Sequence, residues 1–434
     1  MSRFPSTTAH WITTRIIPLA AIACLIGYVY AYGSGRPGLP IRSDAFSYFV
    51  YLPSWFLYHD PTLQDVANDC CAGEFPAWTA IIRWPRTHQW VNAHPIGQAV
   101  MMAPFFGVAH VLTWWTNLTP DGFSLYYQHA AGLAGLGYAI AGLWFLRRLL
   151  LRYYTPGVAT ATIVTLLGGT SLYHYATFDS TWSHAFSFAL FSAILERIDA
   201  WRRGSAHADV AIAFLAGLMT LVRHVNVLFP AILVGALALR SWQRREPGWP
   251  GGRLALTTAG ATALMMLPQL WLYRLATRHW LISSYGNLGF TFLTPHIAGV
   301  LVSAQKGLFF WAPVLLIALP GLFMLPGRLR DLAWPLVIFL IADTYLIASW
   351  WDWQFGGSFG HRAFVDAYPV FALGLAASYA RLAERPAPTR LAATAAITCL
   401  CVLSTFQMLQ YWHGVLPIAD LTWAQYKTLF LRPW

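Results

Sequence analysis

Four charged residues of this sequence stand beside long apolar runs, where charged side chains are rare. Asp44 follows the first apolar run in PIRSDAFSYFVYLPSW, and a carboxylate there can accept a proton. Arg223 in LVRHVNVLF, Lys306 in SAQKGLFFWAP and Arg362 in GGSFGHRAFVD each border another apolar run. Arginine can bind an anion such as a phosphate through two N–H groups, and lysine can bind it as a point charge. The sequence therefore offers one candidate base and three candidate anion-binding cations.

Eight further polar or aromatic residues near these runs could line a substrate cavity with those four. They are Tyr48, Tyr51, His94, Asp179, His184, Asp352, His361 and Asp366. Other interpretations stay open for some of them. Arg362 and Asp366 stand four residues apart and could pair on one helix face, and Arg223 could extend its guanidinium to the membrane surface. A lone histidine such as His94 is often a structural hydrogen-bonding residue.

The composition excludes an ordinary soluble protein. Of the 434 residues, 57% are hydrophobic and 10% are charged, against about 25% charged in a typical soluble domain. Apolar runs recur along the chain with lengths that let a helix cross a hydrocarbon core of about 30 Å. The net charge of +11 comes from arginines scattered at the ends of these runs, which argues against a nucleic-acid partner. No nucleotide-binding motif and no internal repeat is evident.

The apolar runs predict a single transmembrane domain over residues 1–434, of the all-α polytopic class. The first run follows Arg3 and Arg15, but it is longer than the apolar part of a signal peptide and no clear cleavage site follows, so we interpret it as a span. The eleven predicted spans lie near residues 16–33, 124–146, 156–175, 182–199, 208–222, 226–239, 254–273, 307–325, 332–348, 363–381 and 391–410.

The arginine distribution predicts how these spans are oriented. With the N-terminus inside the cell, the inner segments hold 17 of the 28 lysines and arginines although the outer segments are longer, as the positive-inside rule requires. Counting the run 96–115 as a further span would reverse this distribution, so we expect it to be a helix in the outer leaflet, kinked by Pro104. The outer face then contains a long loop over 34–123, a second loop over 274–306 and a tail over 411–434.

Two stretches on the outer side could build a site at the membrane surface. Ser43 would cap an interfacial helix that begins near Asp44, with polar side chains three or four residues apart on one face. In ASWWDWQFGGSFGHRAFVD, glycines 356, 357 and 360 would allow a tight turn beside a ligand. The tryptophans of that stretch fit an aromatic belt at the membrane surface. We therefore expect the turn to present Arg362 towards a cavity shared with Asp44.

The first outer loop defines neither a metal site nor a disulfide by its pattern. Its four carboxylates between residues 60 and 74 lack metal-ligand spacing, although a divalent cation bound partly by one of them stays open. Adjacent Cys70 and Cys71 could form a disulfide or stay reduced. No cofactor and no specific metal ligand is predicted.

These stretches resemble segments of the GT-C superfamily of membrane glycosyltransferases, which take a sugar from a polyprenyl phosphate. The resemblance rests on SDAFSYFVYLPSWF after the first span and on NAHPIG before the leaflet helix. KGLFFWAPVLL and WDWQFGGSFGHRAFVDAYP are similar to the protein-mannosyltransferase-like, aminoarabinose-transferase-like branch. The resemblance covers about Ile16 to Leu382 and implies a GT-C-like bundle with juxtamembrane helices in the first outer loop. The functional carboxylate of the superfamily corresponds to Asp44 alone, because Ser43 stands where many relatives have a second acidic residue.

The resemblance implies an inverting glycosyltransferase in the inner, or plasma, membrane with its active site on the outer, periplasmic face. It would move a sugar from a polyprenyl-phosphate donor to a lipid-linked glycan, lipid A, another cell-envelope polymer or a protein. Asp44 would act as general base, and Arg362, with Arg223 or Lys306, would bind the donor phosphate. Two other classes stay open: a lipid or solute transporter, for which the expected inverted repeats are not evident, and a non-catalytic lipid-binding protein of the same fold.

Overall fold

Helices form most of the chain in a computed structural model, which describes residues 7–33, 35, 38–285 and 288–434. The helices are α1 (Thr7–Gly33), α2 (Asp44–Phe49), α3 (Tyr51–Phe56), α4 (Gln64–Cys71), α5 (Gly97–Trp115), α6 (Leu125–Leu150), α7 (Pro156–Gly169), α8 (Leu172–Thr177), α9 (Ser183–Arg202), α10 (Ala208–Val222), α11 (Leu228–Gln243), α12 (Pro250–Thr277), α13 (Ile297–Val302), α14 (Leu308–Trp311), α15 (Ala318–Leu322), α16 (Ala333–Ser349), α17 (Tyr368–Ala383), α18 (Ala387–Trp412) and α19 (Trp423–Leu429). Two short strands, β1 (Ile81–Arg83) and β2 (Trp90–Asn92), pair antiparallel. Short 3₁₀ helices cover Ala77–Thr79, His224–Val227, Pro313–Ile317, Gly327–Leu332 and Arg362–Ala367.

The predicted all-α polytopic fold is confirmed, because helical backbone occupies each of the eleven predicted spans. Within the described part of the chain, six helical segments are long and apolar enough to cross a membrane, judged by length and composition. They are Thr14–Gly33, Leu125–Leu150, His224–Gln243, Gly327–Ser349, Arg362–Ala383 and Ala387–Trp412. The helices in the other predicted spans are shorter or less apolar. The chain is therefore a multi-pass membrane protein.

Two of the predicted spans are broken rather than continuous. Between α7 and α8 the backbone of Thr170 is extended, with φ −137° and ψ 176°, so the span predicted at 156–175 is two helices. The span predicted at 307–325 is divided into α14, the 3₁₀ helix Pro313–Ile317 and α15. The cause is Pro313, since a proline lacks an N–H and its ring disfavours helical backbone at the preceding residue. Ala312 accordingly has φ −135° and ψ 61°.

A network of ion pairs closes the arginine-rich end of the bundle. Almost all of α9 is buried, and Glu196 and Asp199 near its end are fully buried carboxylates. Arg152 contacts both of them, at 2.7 Å from the Asp199 carboxylate, and Arg240 lies 2.7 Å from Asp331. A buried carboxylate is tolerated when it is paired in this way. Because α9 is about 30 Å long at 1.5 Å per residue, these arginines lie far from its first residues. Arg3 is outside the described residues.

The first loop is built differently from the single amphipathic helix predicted there. Val50 separates α2 from α3, and the predicted cap by Ser43 is wrong: Ser43 has φ 52° and its side chain makes no capping hydrogen bond. The polar side chains at 47, 51 and 54 are buried, so the polar face points into the protein. Asn92 of β2 donates to the Ser47 carbonyl oxygen at 2.6 Å. The loop is therefore a packed layer of short elements.

Helix α5 lies along the first half of α6. The Tyr138 hydroxyl donates to the Met101 carbonyl oxygen at 3.0 Å, and the Tyr127 hydroxyl lies 2.6 Å from His110 Nδ1. The two helices are thus antiparallel, and α5 remains one helix through Pro104. Glycine is needed at Gly97, because a Cβ there would lie 2.3 Å from the Leu221 backbone of α10. This close approach fixes the start of α5 beside the end of α10.

Candidate active site

A cavity of about 450 Å³ opens where the first loop, the end of α10, residues 282–285 and 288–290 and the end of α16 meet. This volume is in the range of small-molecule binding sites. Seven residues proposed from the sequence contribute to its lining. They are Asp44, Tyr48, His94, His184, Arg223, Asp352 and Arg362. Segments distant in sequence thus bring one carboxylate of the first loop together with two arginines.

Asp44 and Arg362 form an ion pair in the wall of this cavity, with 2.9 Å between Arg362 Nη1 and Asp44 Oδ2. Asp44 begins α2, and Arg362 begins the 3₁₀ helix that precedes α17. The guanidinium also lies over the Trp182 ring, 4.5 Å from its centroid, a favourable cation–π arrangement. Arg362 Nε is buried and has no hydrogen-bond partner among the described residues. The guanidinium lies in the cavity wall, where an anion that enters the cavity can replace Asp44 as its partner.

The cavity keeps Asp44 ionised and His94 neutral at pH 7. Burial raises the pKa of the Asp44 carboxyl, but the Arg362 guanidinium and the nearby His94 and His184 rings outweigh this effect, so its pKa lies below the ordinary value of 3.8. Burial lowers the pKa of His94 to about 4, although the Asp44 charge opposes that shift. The His94 ring packs against the Tyr48 ring with 4.3 Å between centroids. Asp44 is therefore the ionised carboxylate beside the neutral His94 ring.

Asp366 lies behind the cavity wall and holds Arg223 in place. Its carboxylate is buried and accepts from Arg223 Nη1 at 2.7 Å and from Asn226 Nδ2 at 3.2 Å, and it lies 2.9 Å from His184 Nδ1. Arg223 thus turns towards Asp366 instead of snorkelling. Arg362 and Asp366 do not pair with each other, although their spacing of four residues left that possibility open. Both lie on a 3₁₀ helix, where side chains three residues apart are aligned and those four apart are not.

Lys306, proposed from the sequence as a phosphate contact, does not line this cavity. Its side chain is buried, and Nζ donates to the carbonyl oxygens of Ser358 and Ile418, the latter at 3.2 Å. The Ile418 oxygen also accepts the Ser358 N–H at 3.1 Å. Burial, with a smaller contribution from Arg362, lowers the pKa of Lys306 to about 7. The lysine therefore joins the C-terminal tail to the turn that precedes Arg362.

Three further residues proposed for the cavity also lie outside its lining. The Tyr51 hydroxyl donates to the His94 carbonyl oxygen at 2.8 Å and so supports the His94 backbone. Asp179 is buried between Arg42, at 2.6 Å, and His174, at 2.8 Å. His361 is buried and packs against the Phe364 ring, with 4.8 Å between ring centroids. Tyr51 thus supports a residue of the cavity lining, whereas Asp179 pairs with groups outside that lining.

The turn predicted from the glycines of GGSFG is present and places Arg362. Gly356 has φ 59° and Gly360 has φ 62°, a left-handed backbone that glycine adopts without steric cost. Gly357 packs against Ile418 of the tail. The chain reverses direction between α16 and the 3₁₀ helix Arg362–Ala367, which brings Arg362 to the level of Asp44.

Several cavity residues were missed by the sequence analysis. Trp350 and Trp351, which fit an aromatic belt by sequence, line the cavity. Trp182 does not line the cavity but packs against Arg362, which does. Its position in TFDSTWSHAF, between Asp179 and His184, was an available signal. Tyr285 also lines the cavity, but no local pattern in the second loop distinguishes it.

The cavity contains neither a metal-binding cluster nor a disulfide of described residues. Among the residues that the structure describes, no group of three or more His, Cys, Asp or Glu is arranged to hold a metal ion. Cys70 and Cys71 are joined as a vicinal disulfide at the end of α4. Neither cysteine lines the cavity.

Comparison with known proteins identifies the fold. No protein-family model and no curated protein matches the sequence. Among solved structures, the crystal structure of ArnT from Cupriavidus metallidurans bound to undecaprenyl phosphate matches with a TM-score of 0.53 and 16% identity over 91% of this chain. This chain spans 65% of the ArnT chain. The chain therefore has the same polytopic helical fold as ArnT, which confirms the fold predicted from the resemblance.

Proposed function

We propose that this protein is a membrane glycosyltransferase that moves a sugar from a polyprenyl-phosphate donor to a cell-envelope acceptor on the outer face of the plasma membrane. The observation that carries the proposal is the Asp44–Arg362 pair in the wall of one cavity. The GT-C fold supports the transferase class. The undecaprenyl phosphate bound to ArnT supports a polyprenyl phosphate as the lipid.

The two arginines of the cavity would bind the donor phosphate. Arg362 and Arg223 both line the cavity and both are largely buried, with 12% and 15% of their side chains exposed. Cations fixed in a water-poor site stabilise developing negative charge better than solvent does. A phosphate with two available oxygens competes well for Arg362, because paired N–H···O bonds are strong. Binding would then draw Arg362 away from Asp44.

Asp44, freed from Arg362, would act as general base. As the acceptor oxygen forms its bond to the anomeric carbon, its proton passes to the Asp44 carboxylate. The bond from that carbon to the phosphate oxygen breaks, and polyprenyl phosphate leaves with the electron pair, stabilised by Arg362. Attack from the face opposite the lipid inverts the anomeric carbon. His94, neutral beside Asp44, leaves the carboxylate as the charged proton acceptor.

The non-catalytic alternative fits the cavity less well. A lipid-binding protein that has lost the chemistry has no need for a cavity that extends from the phosphate-binding arginine to the candidate base. Here one cavity is lined by Arg362, Arg223 and Asp44 together. This continuity favours the enzyme.

The direct test is sugar transfer by purified protein in lipid nanodiscs, with radiolabelled polyprenyl-phosphate sugars and cell-envelope extract as acceptor. Asp44→Asn should lower the rate of transfer by about 100-fold or more, the usual contribution of a general base, and should still bind polyprenyl phosphate. Asp65→Asn is the control, since Asp65 is an exposed carboxylate of the same loop outside the cavity. Wild-type transfer by Asp44→Asn would exclude Asp44 as the base.

A further inference from the structure

Asp343 of α16 is a carboxylate of the cavity wall without a partner among the residues that the structure describes. It lines the cavity and is half-buried. It makes no hydrogen bond or ion pair with any residue that the structure describes, and Arg223 and Asp366 act on it only through space. Asp44 and Asp366, in contrast, both pair with arginines. An unpaired carboxyl inside a membrane protein is costly, so its partner is expected to come from a ligand.

Asp343 belongs to one face of α16 that combines polar and aromatic groups. The residues of α16 and its end that line the cavity are Asp343, Leu346, Ile347 and Trp350. Their spacing of three, four and seven residues puts them on the same side of the helix. Asp343 and Trp350 are then about 10 Å apart along the helix axis, at 1.5 Å per residue, with apolar side chains between them. Tyr285 faces the same space and packs edge-on to Trp350, with 5.2 Å between centroids.

This combination fits a sugar better than a cation. A sugar ring has C–H groups that pack on aromatic rings and hydroxyls that donate to a carboxylate, and a few such polar groups fix the orientation of a bound ligand. A cationic group beside Asp343 would also approach Arg223, whose positive charge acts on the same part of the cavity and would repel it. A neutral hydroxyl meets no such repulsion.

We infer that Asp343 forms a hydrogen bond with a hydroxyl of the sugar carried by the donor lipid and so helps to determine which sugar is bound. This inference rests on the proposed function, because it assumes that the donor phosphate lies at Arg362 and Arg223. The sugar attached to that phosphate would then extend along the face of α16. Asp343 is a specificity-determining residue in this scheme and takes no part in proton transfer.

The test compares the binding of decaprenyl phosphate with that of decaprenyl-phosphate glucose, galactose and mannose to purified full-length protein. The wild type should bind at least one of the three sugar lipids more tightly than decaprenyl phosphate. Asp343→Leu should lower that affinity about tenfold, as expected for a lost hydrogen bond, with the affinity for decaprenyl phosphate unchanged. Asp343→Asn, which can still bond a hydroxyl, should stay within about threefold of wild type. Thr344→Val, on the same helix outside the cavity, is the control.

Stability separates this role from a structural one. Replacing a half-buried carboxyl that has no partner among the described residues by leucine should leave the melting temperature of the lipid-free protein unchanged or raised. A lowered melting temperature with equal losses for all four lipids would mean that Asp343 is structural. An Asp343→Asn defect as large as that of Asp343→Leu would mean that the ligand group is a cation. Both results would overturn the inference, as would unchanged sugar preference in Asp343→Leu. Failure of the wild type to bind decaprenyl phosphate would overturn the proposed function itself.

Discussion

The ion pair between Asp44 and Arg362 suggests two states of the candidate site. They differ in whether Arg362 pairs with Asp44 or with a phosphate. Without an anion, the 2.9 Å ion pair joins the proposed base to the proposed phosphate-binding group. With a phosphate on Arg362, the carboxylate would be released into the cavity. This exchange needs no movement of the backbone, since both side chains already line one space. The lipid phosphate would thus activate the base that acts on its own leaving group.

The pH dependence of transfer should report this exchange. In the free protein the pKa of Asp44 lies below 3.8 because Arg362, His94 and His184 together outweigh burial. The carboxylate is then ionised above about pH 5, so kcat/KM, which reports the free enzyme, should show no Asp44 limb there. A bound phosphate would take Arg362 away from Asp44 and would add negative charge beside the carboxylate. Both effects would raise the pKa of Asp44. Because kcat reports the complex, its acid limb should lie at a higher pH than that of kcat/KM. An acid limb of kcat at the same or a lower pH would contradict the exchange.

Residue type and position were enough to propose Asp44, Arg362 and Arg223 as site residues, since charged groups at the ends of apolar runs are rare. Their roles remain proposals. The same reasoning misplaced Lys306, because its partners are backbone carbonyl oxygens of Ser358 and Ile418. A carbonyl is present at every residue, so no side-chain pattern could reveal those contacts.

Among the elements, the glycine turn between α16 and the 3₁₀ helix Arg362–Ala367 leads directly into the site, because Arg362 follows it. Lys306 and the tail hold this turn through Ser358 and Ile418. Gln305 Nε2 also donates to Asp420 of the tail at 3.1 Å. The turn is therefore fixed from two sides, and its geometry determines where Arg362 lies.

Gly360→Ala should disturb this element through the backbone alone. Gly360 has φ 62°, and a Cβ there would meet its neighbours at 3.5 Å, an ordinary contact distance. The cost is thus the left-handed conformation, about 1 to 2 kcal/mol for an L-residue. We expect a lower melting temperature and weaker binding of polyprenyl phosphate, because Arg362 follows two residues later. Gly235→Ala in α11 is the matched control, since it meets no atom within 4 Å and lacks a positive φ. Unchanged binding and stability in Gly360→Ala would contradict this role of the turn.

Element prediction succeeded where local composition decides the structure. The apolar runs that form α1, α6, α16 and α18 are long enough for their length alone to predict a membrane-spanning helix. The hairpin of β1 and β2 was not predicted, because three-residue strands are too short to show an alternating pattern and depend on each other for pairing. The division of α2 from α3 at Val50 had a signal that was missed, because Pro53 lacks the N–H that would bond to the Phe49 carbonyl oxygen in a continuous helix.

At the scale of the whole molecule, the bundle separates two ends with different chemistry. Glu196, Asp199 and Asp331 pair with arginines at one end, whereas Asp44 and Arg362 face a cavity at the other. The positive-inside rule predicted this separation from arginine counts. It could not predict that the tail returns to the site, since contacts such as that of Ile418 with Lys306 join residues far apart in sequence. The membrane orientation itself remains a prediction.

In the proposed function, polyprenyl phosphate binds to Arg362 in the cavity that contains Asp44. A structure of the protein in lipid nanodiscs with undecaprenyl phosphate would show where the phosphate lies. We predict phosphate oxygens within about 3.2 Å of the Arg362 guanidinium, with Asp44 no longer paired to Arg362 and exposed to the cavity. A phosphate bound outside this cavity, with the Asp44–Arg362 pair intact, would contradict the proposed binding mode.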